Sequence, residues 1–348
     1  MNALSLCLVL GTLALPLASQ AAAPADLVKA AQAEGAVNSV GMPDSWANWK
    51  DTWQDLHSQF GLAHMDTDMS SAEELAKFAA EASDATADIG DVGHAFGPLA
   101  VQKGLALPYK PTHWEAIPDW AKDQDGNWML AYTGTIAFMI NKDLVPNPPK
   151  SWADLRTGKY KVTVGNVGVA SQANNGVLAA AIAGGGNEKN LKPAFDLFAD
   201  LAKQGRLSLT DPSLANLEKG EVAVAVLWDF NALNYRDKID PSRFLVVIPS
   251  DGSVISGYTT IINKYAKHPN AAKLAREYIL SDAGQINLAR GYARPIRSDV
   301  VLPDDVKAKM LPPEQYAAAK PVGDFDAWSE AGKALPRLWQ ENVMIYQP

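Results

Sequence analysis

The chain of 348 residues has one cysteine, Cys7, and five histidines at positions 57, 64, 94, 113 and 268. A lone cysteine excludes an internal disulfide and a multi-cysteine metal site. The histidines are scattered, and none stands at a metal-ligand spacing beside a carboxylate cluster, so no metal and no other cofactor is expected. Also missing are the Gly-x-Ser-x-Gly elbow, the P-loop, the dinucleotide glycine fingerprint and His-Glu-x-x-His. Positive charge is in deficit, with 31 Lys and Arg against 39 Asp and Glu, a net of −8. That sign argues against nucleic acid and against an anionic membrane surface as partners. There are no tandem repeats and no low-complexity linker, and past the N-terminus no apolar run approaches membrane-spanning length.

What is present starts with a charge-free segment. Residues 1–23 contain no Lys, Arg, Asp or Glu, and Ala3 to Leu17 is mostly apolar. The run is too short to span a membrane and the right length for a signal-peptide core. Small residues follow at Ala18 to Ala23, so cleavage is expected after Ala21 or Ala23. The departure is the missing positive charge near Met1. Cys7 lies inside this segment behind Leu6, where a lipoprotein signal needs a small residue. A mature chain without cysteine, acidic and secreted, suits a bacterial periplasm.

The remaining 325 or so residues suffice for about two domains, and an apolar content of 47% supports a packed core. Strand and helix patterns alternate. Trp46, Trp49, Trp53, Leu56 and Phe60 recur at helical steps, with Asp44 or Ser45 as the natural cap. Ser70 with Glu73 and Ser71 with Glu74 both fit a capping box before a helix. Ala87 to Gly93 reads as a short strand, and residues 108–126 as a surface loop. Asn127 to Leu144 has a small-residue centre at Thr133-Gly134-Thr135 and an apolar strand after it. Residues 165–175 read as a polar turn, Val222 to Leu227 as a buried strand ending at Trp228-Asp229, and Asn270 to Ala289 as one long helix. The class is therefore α/β with mainly parallel sheets.

In such sheets ligands bind beyond the carboxyl ends of strands, where helix N-termini point. Five places meet that description: Asp44/Ser45, Ser70/Ser71, Asp91/His94, Asn166/Ser171 and Trp228/Asp229. Each has a plainer reading. The serines are also simple helix caps, Trp228 a core residue and Asp229 a helix-capping carboxylate. Asp88 and Asp91, three apart on a strand and turn, more naturally point different ways than form an acid/base pair.

Several stretches, in their order and spacing, resemble the solute-binding proteins of bacterial ABC importers, in the branch with ferric-, phosphonate-, phosphate-ester- and polyamine-binding members. They are Ala87 to Gly93, Asp125 to Trp128 running into Ile140 to Leu144, Pro149 to Leu155, Lys219 to Val224, Ile262 to Lys273, Ser281 to Gln285 and Pro295 to Ser298. The resemblance covers nearly the whole mature chain. It implies a two-lobed fold, two mainly parallel sheets joined by two hinge strands, closing over a solute. The lobes would be 24–136 with 254–298, and 137–253, followed by a C-terminal helical segment, 299–348. The second crossing would run near Ser250 to Tyr258. The resemblance also implies an ABC permease and ATPase as partners, and a monomeric carrier with no catalytic residues. The ligand pocket would use Asp44, Ser45, Trp46, Ser70, Ser71, Asp91, His94, Tyr132, Thr133, Thr135, Ser171, Gln172, Trp228, Asp229 and Tyr258.

Ferric binders of this branch use a tyrosine pair. Here no two tyrosines are adjacent in sequence, and Tyr132 and Tyr258 are the candidates across the cleft. Carboxylates at Asp44, Asp91 and Asp229 among Trp46, Trp228 and tyrosines suit an amine. Ser70/Ser71 and helix amides suit a phosphonate or carboxylate, and a zwitterion would use both. The expectation is a small polar organic solute bearing an amine. The rival class is a periplasmic hydrolase, against which the absence of an activated nucleophile weighs.

Overall fold

The computed structural model describes residues 23–347. The expected signal peptide, apart from Ala23, lies outside the described residues, as does Cys7. The chain opens with helix α1 (Ala25–Glu34), strand β1 (Ala36–Val40) and helix α2 (Trp49–Phe60). Helix α2 buries Trp49, Trp53 and Leu56 on one face, as their three- and four-residue steps require. It begins later than a cap at Asp44 or Ser45 would place it. Ala47 and Asn48 hold φ of 46° and 59°, which a right-handed helix cannot include.

Next come β2 (Ala63–Thr67), α3 (Ser71–Glu81), β3 (Ile89–Gly93), α4 (Phe96–Gln102) and β4 (Trp128–Asn141). All 14 residues of β4 are buried, and at ~3.3 Å per residue it is about 45 Å long. Beyond it lie α5 (Trp152–Thr157), β5 (Val162–Thr163), α6 (Ser171–Ala183), α7 (Lys192–Lys203), β6 (Leu207–Ser208), α8 (Leu214–Glu218), β7 (Val224–Trp228), α9 (Asp229–Ile239) and β8 (Phe244–Val247). The chain returns through β9 (Ser253–Ile262), α10 (Pro269–Ile279), α11 (Asp282–Arg290), β10 (Arg294–Pro295), α12 (Asp304–Lys307), β11 (Ala319–Pro321) and α13 (Phe325–Asn342).

The α/β class holds, but the expected pair of mainly parallel sheets does not. The strands form one mixed sheet in the order β2-β1-β3-β9-β4-β7-β5-β6, with β8 and β10 also on β4 and β11 on β9. Five of the ten pairings among the described residues are antiparallel. The cause is β4. Its first half pairs with β9 from Trp128 to Thr135, and its second half, from Ile136, pairs with β7 and β8. A strand this long bridges both ends, so the hydrogen-bond ladder never breaks into two sheets. Element alternation is legible in sequence, but the direction of each neighbour is not.

Two other readings shift. The long helix at 270–289 is two helices, because Ser281 caps a new start, its Oγ accepting from Gly284 N at 3.2 Å. Helix α6 begins at Ser171, inside the stretch read as a turn. The loop at 108–126 is held by Arg276 of α10, fully buried, which donates to the carbonyls of Tyr109, Gly126 and Thr260. Burial pushes that guanidinium down to about 9.

Candidate functional site

Three segments bring their ends together where β1 and β3 finish. Gly41 follows β1 with φ 68°. Asp68, Met69 and Ser70 lead from β2 into α3, and Asp91 sits in β3. Ser70 fulfils the expected capping role: its backbone N–H and hydroxyl both donate to Glu73 Oε2, at 2.8 and 2.7 Å. With Glu73 used at the cap, Glu74 faces inward beside Leu75 and Phe78, and is 1% exposed. Its Oε2 accepts from Asp91 N at 3.1 Å. Glycines make the room: a Cβ on Gly41 would lie 2.3 Å from Glu74 Oε1, and one on Gly90 2.7 Å from Oε2.

Asp91 is 1% exposed. Its Oδ2 accepts from Tyr132 Oη at 2.6 Å, and Tyr132 Oη accepts in turn from Trp46 Nε1 at 2.7 Å. Asp91 Oδ1 makes no hydrogen bond. Tyr132 and Tyr258 are register partners on β4 and β9, stacked with centroids 5.7 Å apart. Tyr258 Oη accepts from Trp228 Nε1 at 3.1 Å, and Trp46 stands edge-on to Tyr258 at 5.4 Å.

The opposite wall is the start of α6. Its N-cap, Ala170, offers no side chain to the first-turn amides. Gly93 separates the two helix starts. Its N–H donates to Ser71 Oγ at 2.9 Å, while a Cβ there would lie 2.1 Å from Ser171 Oγ. Gln172 turns away, its amide donating to the carbonyls of Val164 and Val226.

Between these walls lies a cavity of about 290 Å³. It is lined by Gly41, Trp46, Asp68, Met69, Ser70, Ser71, Glu74, Asp91, Ala170, Ser171, Gln172 and Tyr258. Three lining residues are carboxylates and none is Lys, Arg or His. Burial raises the Glu74 carboxyl well above its usual range, and the nearby Asp91 charge raises it further. Asp91 is raised well above its range by burial, against the lowering effect of the Tyr132 hydrogen bond and of the nearby Trp49 indole. Asp68 is raised by burial and then by Glu73. Below them Asp66, raised by burial, accepts from Ser39 Oγ at 2.5 Å and from Met42 N at 3.0 Å.

Seven residues anticipated from sequence therefore meet at the cavity: Trp46, Ser70, Ser71, Asp91, Ser171, Gln172 and Tyr258. Tyr132 and Trp228 stand behind them, bonded to Asp91 and Tyr258. The other six lie elsewhere. Ser45 is in the turn before α2, its carbonyl accepting from Asn234 Nδ2 of α9 at 3.0 Å, with Asp44 beside it. Thr133 and Thr135 lie on β4, where Thr135 N donates to Asp229 Oδ1 at 2.8 Å. That carboxylate is fully engaged, accepting also from Phe230 N at 2.9 Å and from Tyr316 Oη at 2.7 Å, with Arg294 Nε at 3.9 Å. His94 is buried against Trp128 and Phe325, and burial lowers it to about 3, so it is neutral. Asp88 binds His268 and the Asn38 amide, a structural role.

Sequence reasoning missed Asp68 and Glu74 as lining groups. The signal for Glu74 was present: a charge on the apolar stripe of α3, one place past the residue that completes the cap. Among the described residues no group of His, Cys, Asp and Glu is arranged to hold a metal ion, and no helix is long and apolar enough to cross a membrane.

A profile described as bacterial extracellular solute-binding protein matches residues 84–331. Among solved structures, the periplasmic binding protein AfuA from Actinobacillus pleuropneumoniae, with exogenous fructose-6-phosphate bound, is similar at TM-score 0.71 and 17% identity, covering 89% of this chain and 98% of its own. The ferric binding protein from Campylobacter jejuni is similar at TM-score 0.66 and 20% identity, covering 88% and 98%. The Atu4243-GABA receptor is similar at TM-score 0.64 and 17% identity, covering 89% and 95%. These likenesses show the α/β periplasmic-binding-protein fold. A search of curated protein sequences returns no match.

Proposed function

The chain belongs to the bacterial extracellular solute-binding proteins, non-enzymatic binding subunits of ABC transporters, and from that premise we propose that its solute carries an amine. The observation that carries the reading is the cavity wall: Asp68, Glu74 and Asp91 with no basic side chain among them. Asp91 keeps one carboxylate oxygen without a hydrogen-bond partner among the described residues, so its negative charge is not spent on a protein cation. A primary ammonium offers three donors, and Trp46 and Tyr258 supply aromatic faces for cation–π contact. The open N-terminus of α6 opposite favours an anionic group at the other end of the same molecule. A compact zwitterion uses both walls, and about 290 Å³ suits it better than an extended polyamine.

In this reading residues 24–136 with 254–298 form one lobe and 137–253 the other. The protein is a periplasmic monomer exported by its N-terminal segment. The lobes close about β4 and β9, with 299–348 as a C-terminal segment, and deliver the solute to a permease. Trp46, Asp68, Ser70, Ser71, Glu74, Asp91, Ser171 and Tyr258 bind it, and Tyr132 and Trp228 hold their partners in place.

The test is thermal unfolding with a panel: short diamines, ω-amino acids including GABA, α-amino acids, aminophosphonates, sugar phosphates and ferric citrate. A cognate ligand at 100 times its Kd adds about 2.7 kcal/mol of stability. The expected hits bear an amine. Stabilisation by sugar phosphates alone would overturn the amine assignment. So would a visible tyrosinate-to-iron charge-transfer band with ferric citrate, which would mark the stacked pair Tyr132 and Tyr258 as a metal site.

A further inference from the structure

The first residue of α9, Asp229, accepts from Thr135 N at 2.8 Å, which pins the start of the helix to the middle of β4. Phe230 follows and is fully buried. The small-residue centre of β4 makes room for it: a Cβ on Gly134 would lie 2.6 Å from Phe230 Cε1. From that place the ring stands edge-on to Trp46, with centroids 5.3 Å apart and planes at 83°. Asn234 is one turn further along the same face of α9. Its Nδ2 donates to Ser45 O at 3.0 Å. Two side chains of one helix face therefore hold two consecutive residues of the loop between β1 and α2.

That loop carries Trp46 to the acidic cavity, and it is poorly supported from within. Trp46 lies outside any helix or strand, immediately before the positive φ values of Ala47 and Asn48. Its own backbone bonds are local: its N–H donates to Pro43 O at 2.9 Å, and its carbonyl accepts from Trp49 N at 3.0 Å. The indole is half-buried and is oriented by contacts distant in sequence. Its Nε1 donates to Tyr132 Oη, its ring meets Tyr258, and Phe230 and Asn234 hold it from the side of α9. By the boundaries proposed above, the loop belongs to one lobe and α9 to the other.

We propose that Phe230 and Asn234 are positioning residues for solute binding that act through Trp46. The indole completes the aromatic side of the cavity only while this face of α9 rests on the loop. The proposal rests on that cavity being the solute site, but not on which solute it takes.

Hydrogen exchange at the indole nitrogens, read by NMR on the chain with isotope-labelled tryptophan, tests this without any solute. Trp46→Phe and Trp228→Phe assign the two signals that matter. The Trp228 indole, bonded to Tyr258 Oη at 3.1 Å, is the internal reference. Asn234 is only partly buried, so Asn234→Ala is expected to fold. In that variant the Trp46 indole N–H is expected to exchange about fivefold faster, the effect of losing one ordinary hydrogen bond, while Trp228 keeps its rate. Phe230→Leu is expected to accelerate Trp46 as well. If Phe230→Leu fails to fold, Asn234→Ala decides. Unchanged Trp46 exchange in either folded variant overturns the proposal. So does equal acceleration of Trp46 and Trp228 in Asn234→Ala, which would mark a general loosening. Failure of the amine reading shows in the thermal panel and leaves these rates untouched.

Discussion

Tyr132 Oη donates a 2.6 Å hydrogen bond to Asp91 Oδ2 and accepts one of 2.7 Å from Trp46 Nε1, so a strand of the sheet, a loop and a carboxylate are fixed by one hydroxyl. The arrangement leaves one Asp91 oxygen oriented by its neighbours but unpaired. Asp91→Asn keeps an acceptor for Tyr132 and removes the charge. An amine ligand is expected to bind about 2–5 kcal/mol more weakly. The ligand-free melting temperature is expected to hold or rise, because a buried carboxylate without a cation is unfavourable. Calorimetry and thermal unfolding of the variant check both. Unchanged affinity would remove Asp91 from the site.

The acidic wall sets a pH dependence with a definite sign. Burial raises Glu74 in the folded protein well above its unfolded value near 4.5. Such a group contributes stability below that unfolded value and loses it as pH rises through the folded one. Comparison with Glu74→Gln isolates this from other titrations. The variant is expected to gain stability over the parent progressively as pH rises above about 4.5. An amine ligand reverses the preference by favouring the ionised form, so binding is expected to release protons. Titration in two buffers of different ionisation enthalpy measures this, and proton uptake on binding would contradict an ammonium at Glu74.

Much of this was legible in the chain, and the residues show why. Helical spacing placed Trp49, Trp53 and Leu56 in the core, and the capping box placed Ser70. The apolar run from Ile136 placed β4. These signals are local, and each is carried by residues within one or two turns. Strand β2 left no such signal, because an edge strand with His64 and Asp66 between exposed neighbours has little apolar pattern. Pairing direction was hidden for the same reason: nothing near Tyr132 in sequence says that Tyr258 lies beside it. The engagement of Asp229 was also out of reach, since Tyr316 and Arg294 come from 87 and 65 residues further along the chain.

Asp229 accepts from two backbone amides and from Tyr316, whose ring lies under Arg294 at 3.7 Å. It joins β4, α9 and the C-terminal segment. Asp229→Ala leaves those donors unmatched, and is expected to cost about 2–4 kcal/mol in denaturant unfolding. Ligand affinity in the folded variant is expected to stay near that of the parent. Strongly weakened binding with unchanged stability would instead place Asp229 at the solute.

His94 is a liability in acid. Burial lowers it to about 3, whereas the unfolded chain takes up a proton near 6.5. A group held neutral in this way contributes stability at neutral pH that is lost as pH falls below the unfolded value, about 2 kcal/mol by pH 5. His94→Phe keeps the contacts with Trp128 and Phe325 and removes the titration. The variant is expected to lose less stability than the parent between pH 6.5 and 5, with solute affinity unchanged. Equal acid sensitivity would show that His94 does not carry this term.

The approach of the two cavity walls is testable at Gly93. A methyl group there would sit 2.1 Å from Ser171 Oγ and 2.4 Å from Ser171 Cβ. Side-chain rotation moves the oxygen but not the Cβ, so the backbone of α6 must recede. If the walls belong to lobes that close on the solute, Gly93→Ala props them apart. Affinity is then expected to fall by at least about tenfold, or 1.4 kcal/mol, with a smaller loss of stability, and scattering should report a wider particle with ligand present. Ser171→Gly in the same chain removes the opposing Cβ and is expected to restore most of the closure, at about 0.5 kcal/mol of helix propensity. Ser171→Gly alone supplies the control for the lost hydroxyl. If the double variant binds no better than Gly93→Ala, the loss does not arise from contact between the walls, and closure at this point is not how the solute is held.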